Sequence, residues 1–164
     1  MRELDKENGS LIVEEDTQKG LFLTFKVGNE DYGIEIKYVI EIIGMQNITE
    51  VPGLPNYIMG IINLRGKIIP VIDVRLKFRK QWIEYNDRTC IVVVDMEDIS
   101  VGLIVDNVVE VVNIPESEIV NPPETKVTGI NYIKGIGKVN SEVKLLIDCE
   151  KLLNEKDVDN ILNI

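Results

Sequence analysis

Few side chains in this 164-residue sequence have the type and spacing that catalysis requires. The sequence contains no histidine, which removes the side chain most often used for acid–base catalysis and metal binding near neutral pH. The 28 Asp and Glu residues lie at strand ends, in turns and in the terminal segments, and nothing pairs them into an acid–base site. The sequence therefore predicts no enzymatic activity, no metal and no cofactor.

Two other patterns could suggest chemistry, and both have simpler explanations. Cys90 and Cys149 lie inside apolar stretches and form no Cys-x-x-Cys motif, so we expect two reduced thiols. Residues 135–138 read GIGK, like part of a phosphate-binding loop, but Val139 stands where that loop needs Ser or Thr. Neither pattern therefore predicts a catalytic or nucleotide-binding site.

The sequence contains an internal duplication, and any functional site must lie on the fold that the two copies form. Residues 56–78 match residues 131–153 at an offset of 75, with Asn, Tyr, Ile, Gly, Ile, Ile and Asp in register. Residues 32–43 match residues 101–112 at an offset of 69, so the second copy contains a six-residue insertion. The duplication predicts two similar modules side by side, with a groove between them in which a functional site is expected.

The pattern of apolar residues predicts an all-β fold. Val, Ile and Leu dominate short alternating segments that are separated by turn residues, and many short strands at regular spacing are typical of small barrels. Asn154 is expected to cap a short final helix. The predicted parts are a flexible acidic tail over residues 1–19, a first barrel over 20–85, a second barrel over 86–153 and a C-terminal helix over 154–164.

Arg65 and Glu41 form a candidate recognition pair. Arg65 lies in a predicted hairpin turn, whereas the same turn of the second copy carries Asn140, so the hairpin does not need an arginine. Glu41 lies in an apolar predicted strand, where a charge needs a partner or an exposed face, and a guanidinium binds a carboxylate in a fork. The alternatives are a solvated turn arginine and an outward-facing glutamate, since Glu110 holds the equivalent position in the second copy.

The net charge of the chain indicates which classes of binding partner are unfavourable. The formal charge of −10 disfavours binding to nucleic acids and to anionic membranes, which attract Lys and Arg, and the low aromatic content also disfavours a nucleic-acid-binding barrel. No apolar run approaches the ~20 residues of a membrane span, and no signal peptide is present, so we expect a cytoplasmic protein. A small-molecule-binding double barrel stays open, although side chains fill most of the interior of a small barrel.

The sequence resembles the CheW family of bacterial chemotaxis coupling proteins over about residues 20–155. Four segments carry the resemblance in order: YGIEIKYVIEII, VPGLPNYIMGIINLRGKIIPVIDVRLKF, VGLIVDNVVEVV, and GINYIKGIGKV followed by LLIDCEKLL. The resemblance implies two pseudo-repeated five-stranded SH3-like barrels without enzymatic activity. It also implies an adaptor that joins the cytoplasmic tips of chemoreceptors to the histidine kinase CheA and is recruited to receptor arrays at the membrane.

The same resemblance implies two sets of contact residues. A receptor tip is a helical hairpin, so it is expected to lie in the apolar groove between the barrels. The receptor contacts implied there are Ile36, Val39, Glu41, Arg65, Cys90, Val105 and Val108. The regulatory domain of the kinase is implied at the outer ends of the barrels, where the contacts are Pro55, Tyr57, Ile58 and Ile61 in the first copy and Pro123, Glu124 and Thr125 in the loop with the insertion.

Overall fold

The computed structural model describes residues 18–96, 99–123 and 132–164. These residues form short β-strands, as the alternating apolar pattern predicts, joined by tight turns and by longer connections such as residues 45–57 and 78–89. The strands are β1 (Leu21–Val27), β2 (Glu30–Glu35), β3 (Val39–Gly44), β4 (Ile58–Leu64), β5 (Lys67–Asp73), β6 (Cys90–Met96), β7 (Ile99–Val105), β8 (Asn107–Asn113), β9 (Ile119–Val120), β10 (Ile133–Val139) and β11 (Glu142–Ile147).

The helices are short, and the first two follow the ends of strands. They are α1 (Val74–Lys77), α2 (Cys149–Leu152) and α3 (Glu155–Leu162), with single 3₁₀ turns at Ile36–Tyr38 and Glu116–Glu118. Asn154 caps α3 through a capping box with Asp157, in agreement with the sequence prediction. Within the described ranges, no helix combines the length and the apolar composition that a membrane crossing requires.

The strands form two sheets with equivalent strand orders. Sheet A has the order β8-β1-β2-β11-β10-β9, and sheet B has the order β3-β6-β7-β5-β4. Replacing each strand of one copy by its equivalent in the other converts sheet B into sheet A, apart from the two-residue strand β9. The predicted mostly-β fold with two related halves and short helices is confirmed, while the closure of each sheet into a barrel stays a prediction.

Each sheet contains strands from both copies. The β1–β2 hairpin of the first copy pairs with β8 and β11 of the second, and the β6–β7 hairpin of the second copy pairs with β3 and β5 of the first. The strand pairing therefore does not follow the expected division between residues 85 and 86, because the copies exchange their first hairpins. The sequence could not show this exchange, since both hairpins have the same pattern of apolar residues and fit either sheet.

The described residues contain three buried apolar clusters, and the largest joins the two sheets. In β6, Val92 and Val94 belong to this intersheet cluster together with Phe25 of sheet A. The alternate residues Ile91 and Val93 belong to a separate cluster inside sheet B. Both faces of β6 are therefore covered, which explains why its sequence is an unbroken apolar run rather than an alternation of apolar and polar residues.

Asp106 anchors the point where the chain passes from sheet B to sheet A. Its carboxylate accepts a hydrogen bond of 2.8 Å from the backbone N–H of Gly28 in the β1–β2 turn. It also accepts hydrogen bonds from the guanidinium of Arg75 in α1, at 2.6 Å and 3.3 Å. One carboxylate thus holds the crossover, the tip of the exchanged hairpin and α1 together.

Candidate functional site

Arg65 and Glu41 are in contact on the surface of sheet B. The guanidinium Nη2 of Arg65 donates a hydrogen bond to Oε1 of Glu41. The side chain of Arg65 is 70% exposed and that of Glu41 is 26% exposed. An ion pair so accessible to water contributes about 0–1 kcal/mol to the free energy of unfolding. The contact predicted from the sequence is therefore present, and stability alone does not explain it.

This ion pair links the two ends of sheet B. Glu41 lies on β3 and Arg65 follows β4, and these strands are the first and the last in the order of the sheet. The connection between them runs beside β4, where Thr49 and Ile61 exchange two backbone hydrogen bonds of 2.9 Å. The pair therefore lies at a place where separate elements meet and not within a single hairpin.

The backbone at Arg65 favours a different residue. Arg65 has a φ of 51° and Gly66 a φ of 84°, and Asn63 Oδ1 accepts a hydrogen bond of 2.9 Å from the Gly66 N–H. The left-handed region costs an ordinary L-residue about 1–2 kcal/mol, whereas asparagine tolerates it, and Asn140 has a φ of 52° at the equivalent position. An arginine thus occupies a position suited to asparagine, and in doing so it brings a guanidinium to Glu41.

The apolar residues of the predicted receptor set lie against the intersheet cluster. Ile36, Val39, Cys90 and Val108 are half-buried and pack on it. Val105 is 1% exposed and belongs to the cluster itself, so it lies beneath the surface formed by the other four, and its contact with a receptor stays a prediction. The reason is that β7 lies between β5 and β6, and apolar side chains cover both of its faces.

Exposed apolar residues on the two end strands were missed. These residues are Ile40 and Ile42 on β3, and Val109 and Val111 on β8, which occupy equivalent positions in the two copies. Ile42 lies directly opposite Val92 of β6, and Val111 lies opposite Leu23 of β1. Because Val92 and Leu23 belong to the intersheet cluster, Ile42 and Val111 extend that cluster to the solvent. Residues on both faces of β3 are apolar, so the pattern of residues does not indicate which face is exposed.

The four residues predicted to contact the kinase in the first copy differ in how deeply they are buried. Pro55, Tyr57 and Ile61 are half-buried, whereas Ile58 is only 5% exposed and belongs to the intersheet cluster. The Ile58 side chain faces the core at the start of β4 and offers little surface, so its contact with a partner stays a prediction. The Ile58 N–H donates to the Pro55 carbonyl at 3.1 Å, and this turn presents the remaining residues.

The predicted kinase set of the second copy is only partly described by the structure. Pro123 is exposed, at the end of a described range. Glu124 and Thr125 lie outside the described residues. The role of this loop stays a prediction.

The titratable groups of the described residues offer little reactive chemistry. Cys149 is 1% exposed, and burial raises the pKa of its thiol to about 12, so the thiol is protonated at neutral pH. In the part of the chain that the structure describes, no group of three or more Cys, Asp or Glu residues could hold a metal ion. The site therefore consists of an ion pair near exposed aliphatic side chains, a combination suited to binding.

The exchanged hairpins and the equivalent strand orders define a duplicated two-sheet β protein, whose sheet B carries an exposed ion pair of Arg65 and Glu41. A family model described as a CheW-like domain matches residues 21–157. The chain belongs to this family of CheW-like proteins, and the resemblance found in the sequence is confirmed.

Individual relatives agree with this assignment. The chemotaxis protein CheW of Klebsiella aerogenes is 39% identical over 144 residues, which cover 85% of this chain and 87% of that protein. The chemotaxis protein CheW of Bacillus subtilis is 37% identical over 136 residues, which cover 82% and 86%. The crystal structure of the scaffolding protein TtCheW from Thermoanaerobacter tengcongensis has a TM-score of 0.78 at 34% identity, covering 84% of this chain and 94% of that one.

Proposed function

We propose that this protein is a non-enzymatic adaptor of bacterial chemotaxis, which joins the cytoplasmic tips of chemoreceptors to the regulatory domain of the histidine kinase CheA. The observation that carries the proposal is the Arg65–Glu41 pair, in a turn whose backbone favours asparagine. The names of the relatives, chemotaxis protein and scaffolding protein, support the same role. The adaptor acts in the cytoplasm and is recruited to receptor arrays.

The receptor is proposed to bind where the intersheet cluster reaches the surface. A helical receptor tip needs a line of apolar contacts and a few polar groups that fix its register. Ile36, Val39, Cys90 and Val108 offer half-buried apolar surface, and Ile42 extends it along β3. The Arg65–Glu41 pair supplies polar groups that are already oriented, so less side-chain entropy is lost on binding.

The kinase is proposed to bind at separate surfaces. In the first copy these are the half-buried residues Pro55, Tyr57 and Ile61, and in the second copy they are Pro123 and the neighbouring Glu124 and Thr125. Two distinct surfaces allow the adaptor to hold receptor and kinase together. A few buried anchors provide most of the affinity of such interfaces.

Separate and combined binding assays test this function. The purified protein is mixed with a receptor cytoplasmic fragment, with the kinase regulatory domain, and with both, and the complexes are measured by size-exclusion chromatography and calorimetry. We expect two binary complexes and one ternary complex. Failure of the protein to bind either fragment would overturn the proposal.

A further inference from the structure

Asp157 of α3 is a buried carboxylate with no part in the function proposed above. Its side chain is 1% exposed. Oδ1 accepts a hydrogen bond from the hydroxyl of Tyr57, and Oδ2 accepts hydrogen bonds from Lys77 Nζ at 2.7 Å and from the Asn154 N–H at 3.2 Å. A buried carboxylate is stable only with such partners, so its position and theirs are coupled.

The partners of Asp157 come from distant parts of the chain. Tyr57 lies in the connection that leads into β4, Lys77 lies at the end of α1, and Asp157 follows Tyr57 by 100 residues. Lys77 Nζ also lies 4.4 Å from the centroid of the Tyr57 ring, which adds a cation–π contact. Burial and the bond to Asp157 raise the pKa of the Tyr57 hydroxyl, so it remains a donor at physiological pH.

Tyr57 in turn holds the backbone at the start of β4. Its carbonyl accepts a hydrogen bond of 2.8 Å from the Asp73 N–H at the end of β5. The equivalent Tyr132 accepts the same backbone bond from Asp148, at 2.7 Å, but its ring stacks on Phe78 at a centroid distance of 4.6 Å. Both copies therefore use the backbone carbonyl at this position, whereas among the described residues the hydrogen bond from the tyrosine hydroxyl is seen in the first copy.

We propose that α3 is a clasp on the first copy, in which Asp157 holds Tyr57 and Lys77 and thereby sets the affinity of the kinase-facing surface around Pro55 and Ile61. The identity of the partner rests on the proposed function. Asp157 is a positioning residue, because its burial prevents contact with any partner. The surface of the first copy thus depends on a helix that follows the last strand of the second.

The variants isolate this network. Asp157→Asn removes the charge and keeps the size of the side chain, and Tyr57→Phe removes one hydroxyl and keeps the ring. Asp159→Asn makes the same chemical change two residues further along α3, where the side chain is exposed, and is the matched control. Lys77→Met combined with Asp157→Asn removes both charges. Its comparison with Asp157→Asn tests whether the unpaired Lys77 ammonium, and not the loss of the bonds to Asp157, changes amide exchange and kinase affinity.

Amide hydrogen exchange measures the clasp without any partner. In Asp157→Asn and Tyr57→Phe we expect faster exchange at the amides of Ile58 and Asp73, which bond to the connection before β4. The amides of β10 and β11 and the whole Asp159→Asn variant should match the wild type. Unchanged exchange at Ile58 and Asp73 in Asp157→Asn would overturn the clasp.

The second part of the test measures the affinity of each variant for the kinase regulatory domain and for the receptor fragment. The measurements are made at a temperature where every variant is folded. Asp157→Asn should weaken binding of the kinase regulatory domain about tenfold, as expected when about a tenth of the molecules hold the connection in place. Affinity for the receptor fragment should not change. Equal weakening for both partners, or none for the kinase, would overturn the proposal.

Two further outcomes are distinguishable. If the wild type binds no kinase, the proposed function fails together with the kinase part of the clasp, while the exchange data still decide whether Asp157 holds Tyr57. If Asp157→Asn does not fold, Tyr57→Phe provides the hydrogen-exchange comparison, because it removes only the hydroxyl that bonds to Asp157. The kinase affinity is then compared between the wild type and the double variant, since Tyr57 itself belongs to the proposed kinase surface.

Discussion

Lys144 Nζ lies 2.7 Å from Asp31 Oδ2, and this ion pair joins two strands whose residues are 113 positions apart in the chain. The two residues are also backbone partners in the parallel pairing of β11 with β2. The Lys144 side chain is 2% exposed and that of Asp31 is 11% exposed. The pair therefore fastens the exchanged β1–β2 hairpin to the second copy at a point that water hardly reaches.

We predict that Lys144→Met destabilises the protein substantially. The substitution leaves the Asp31 carboxylate with Lys26, which is 48% exposed, as its remaining partner. We expect a loss of about 3 kcal/mol, at the low end for a broken buried pair because Lys26 remains, measured by urea unfolding. Lys26→Met is the matched control and should cost about 0–1 kcal/mol. Similar losses in the two variants would contradict the structure.

The same carboxylate predicts a dependence of stability on pH. Burial alone would raise the pKa of Asp31, but hydrogen bonds from Lys144 and Lys26 outweigh it and hold the pKa below its usual value of 3.8. The unfolded chain then binds the proton more readily, so the stabilisation is complete above pH 3.8 and is lost as the pH falls through the lower pKa of the folded state.

Urea unfolding of the wild type and Asp31→Asn between pH 3 and pH 7 checks this dependence. The difference in the free energy of unfolding should be largest near neutral pH and should narrow on acidification. A difference that grows at low pH would show that folding does not lower the pKa of Asp31.

We predict that Arg65→Asn abolishes receptor-dependent activation of the kinase without a large change in stability. Asparagine suits the left-handed turn, and the lost surface ion pair is worth about 0–1 kcal/mol, so the melting temperature should stay close to that of the wild type. Receptor-dependent activation of the kinase should be lost, while binding of the kinase alone should be retained. Arg88→Asn, at an exposed arginine outside the pair, is the control. Full activation by Arg65→Asn would contradict the proposed role.

Burial predicts opposite effects for two apolar residues near the receptor surface. Ile42→Ser, at an exposed position, should weaken receptor binding with little change in stability. Val105→Ala should cost about 2 kcal/mol of stability, from lost burial and a cavity, and leave the surface unchanged. Thermal unfolding and receptor affinity are measured for both. Equal affinity of Ile42→Ser and the wild type would remove β3 from the receptor surface.

Comparison of the two copies within the sequence predicted the Arg65–Glu41 contact, because one copy showed that the turn forms without an arginine. The same comparison could not predict the exchanged hairpins, since each hairpin offers either sheet the same apolar pattern. It also did not indicate that Val105 and Ile58 are buried, because alternation cannot distinguish a covered apolar face from an exposed one. The sequence predicted the Asn154 cap, which is local, but not the partnership of Asp157 with a tyrosine 100 residues away.

The exchange of hairpins also delays the completion of sheet A during synthesis of the chain. β2 leaves the ribosome early, but Lys144 of its partner strand β11 follows Asp31 by 113 residues. At about 5–20 residues per second, roughly 6–23 s pass between the synthesis of Asp31 in β2 and that of Lys144 in β11. During that time Leu23, Phe25 and Ile34, which are buried in the finished protein, have no complete sheet to cover them. The nascent chain therefore exposes these apolar residues until β11 is synthesised, and such exposure favours aggregation and chaperone binding in general.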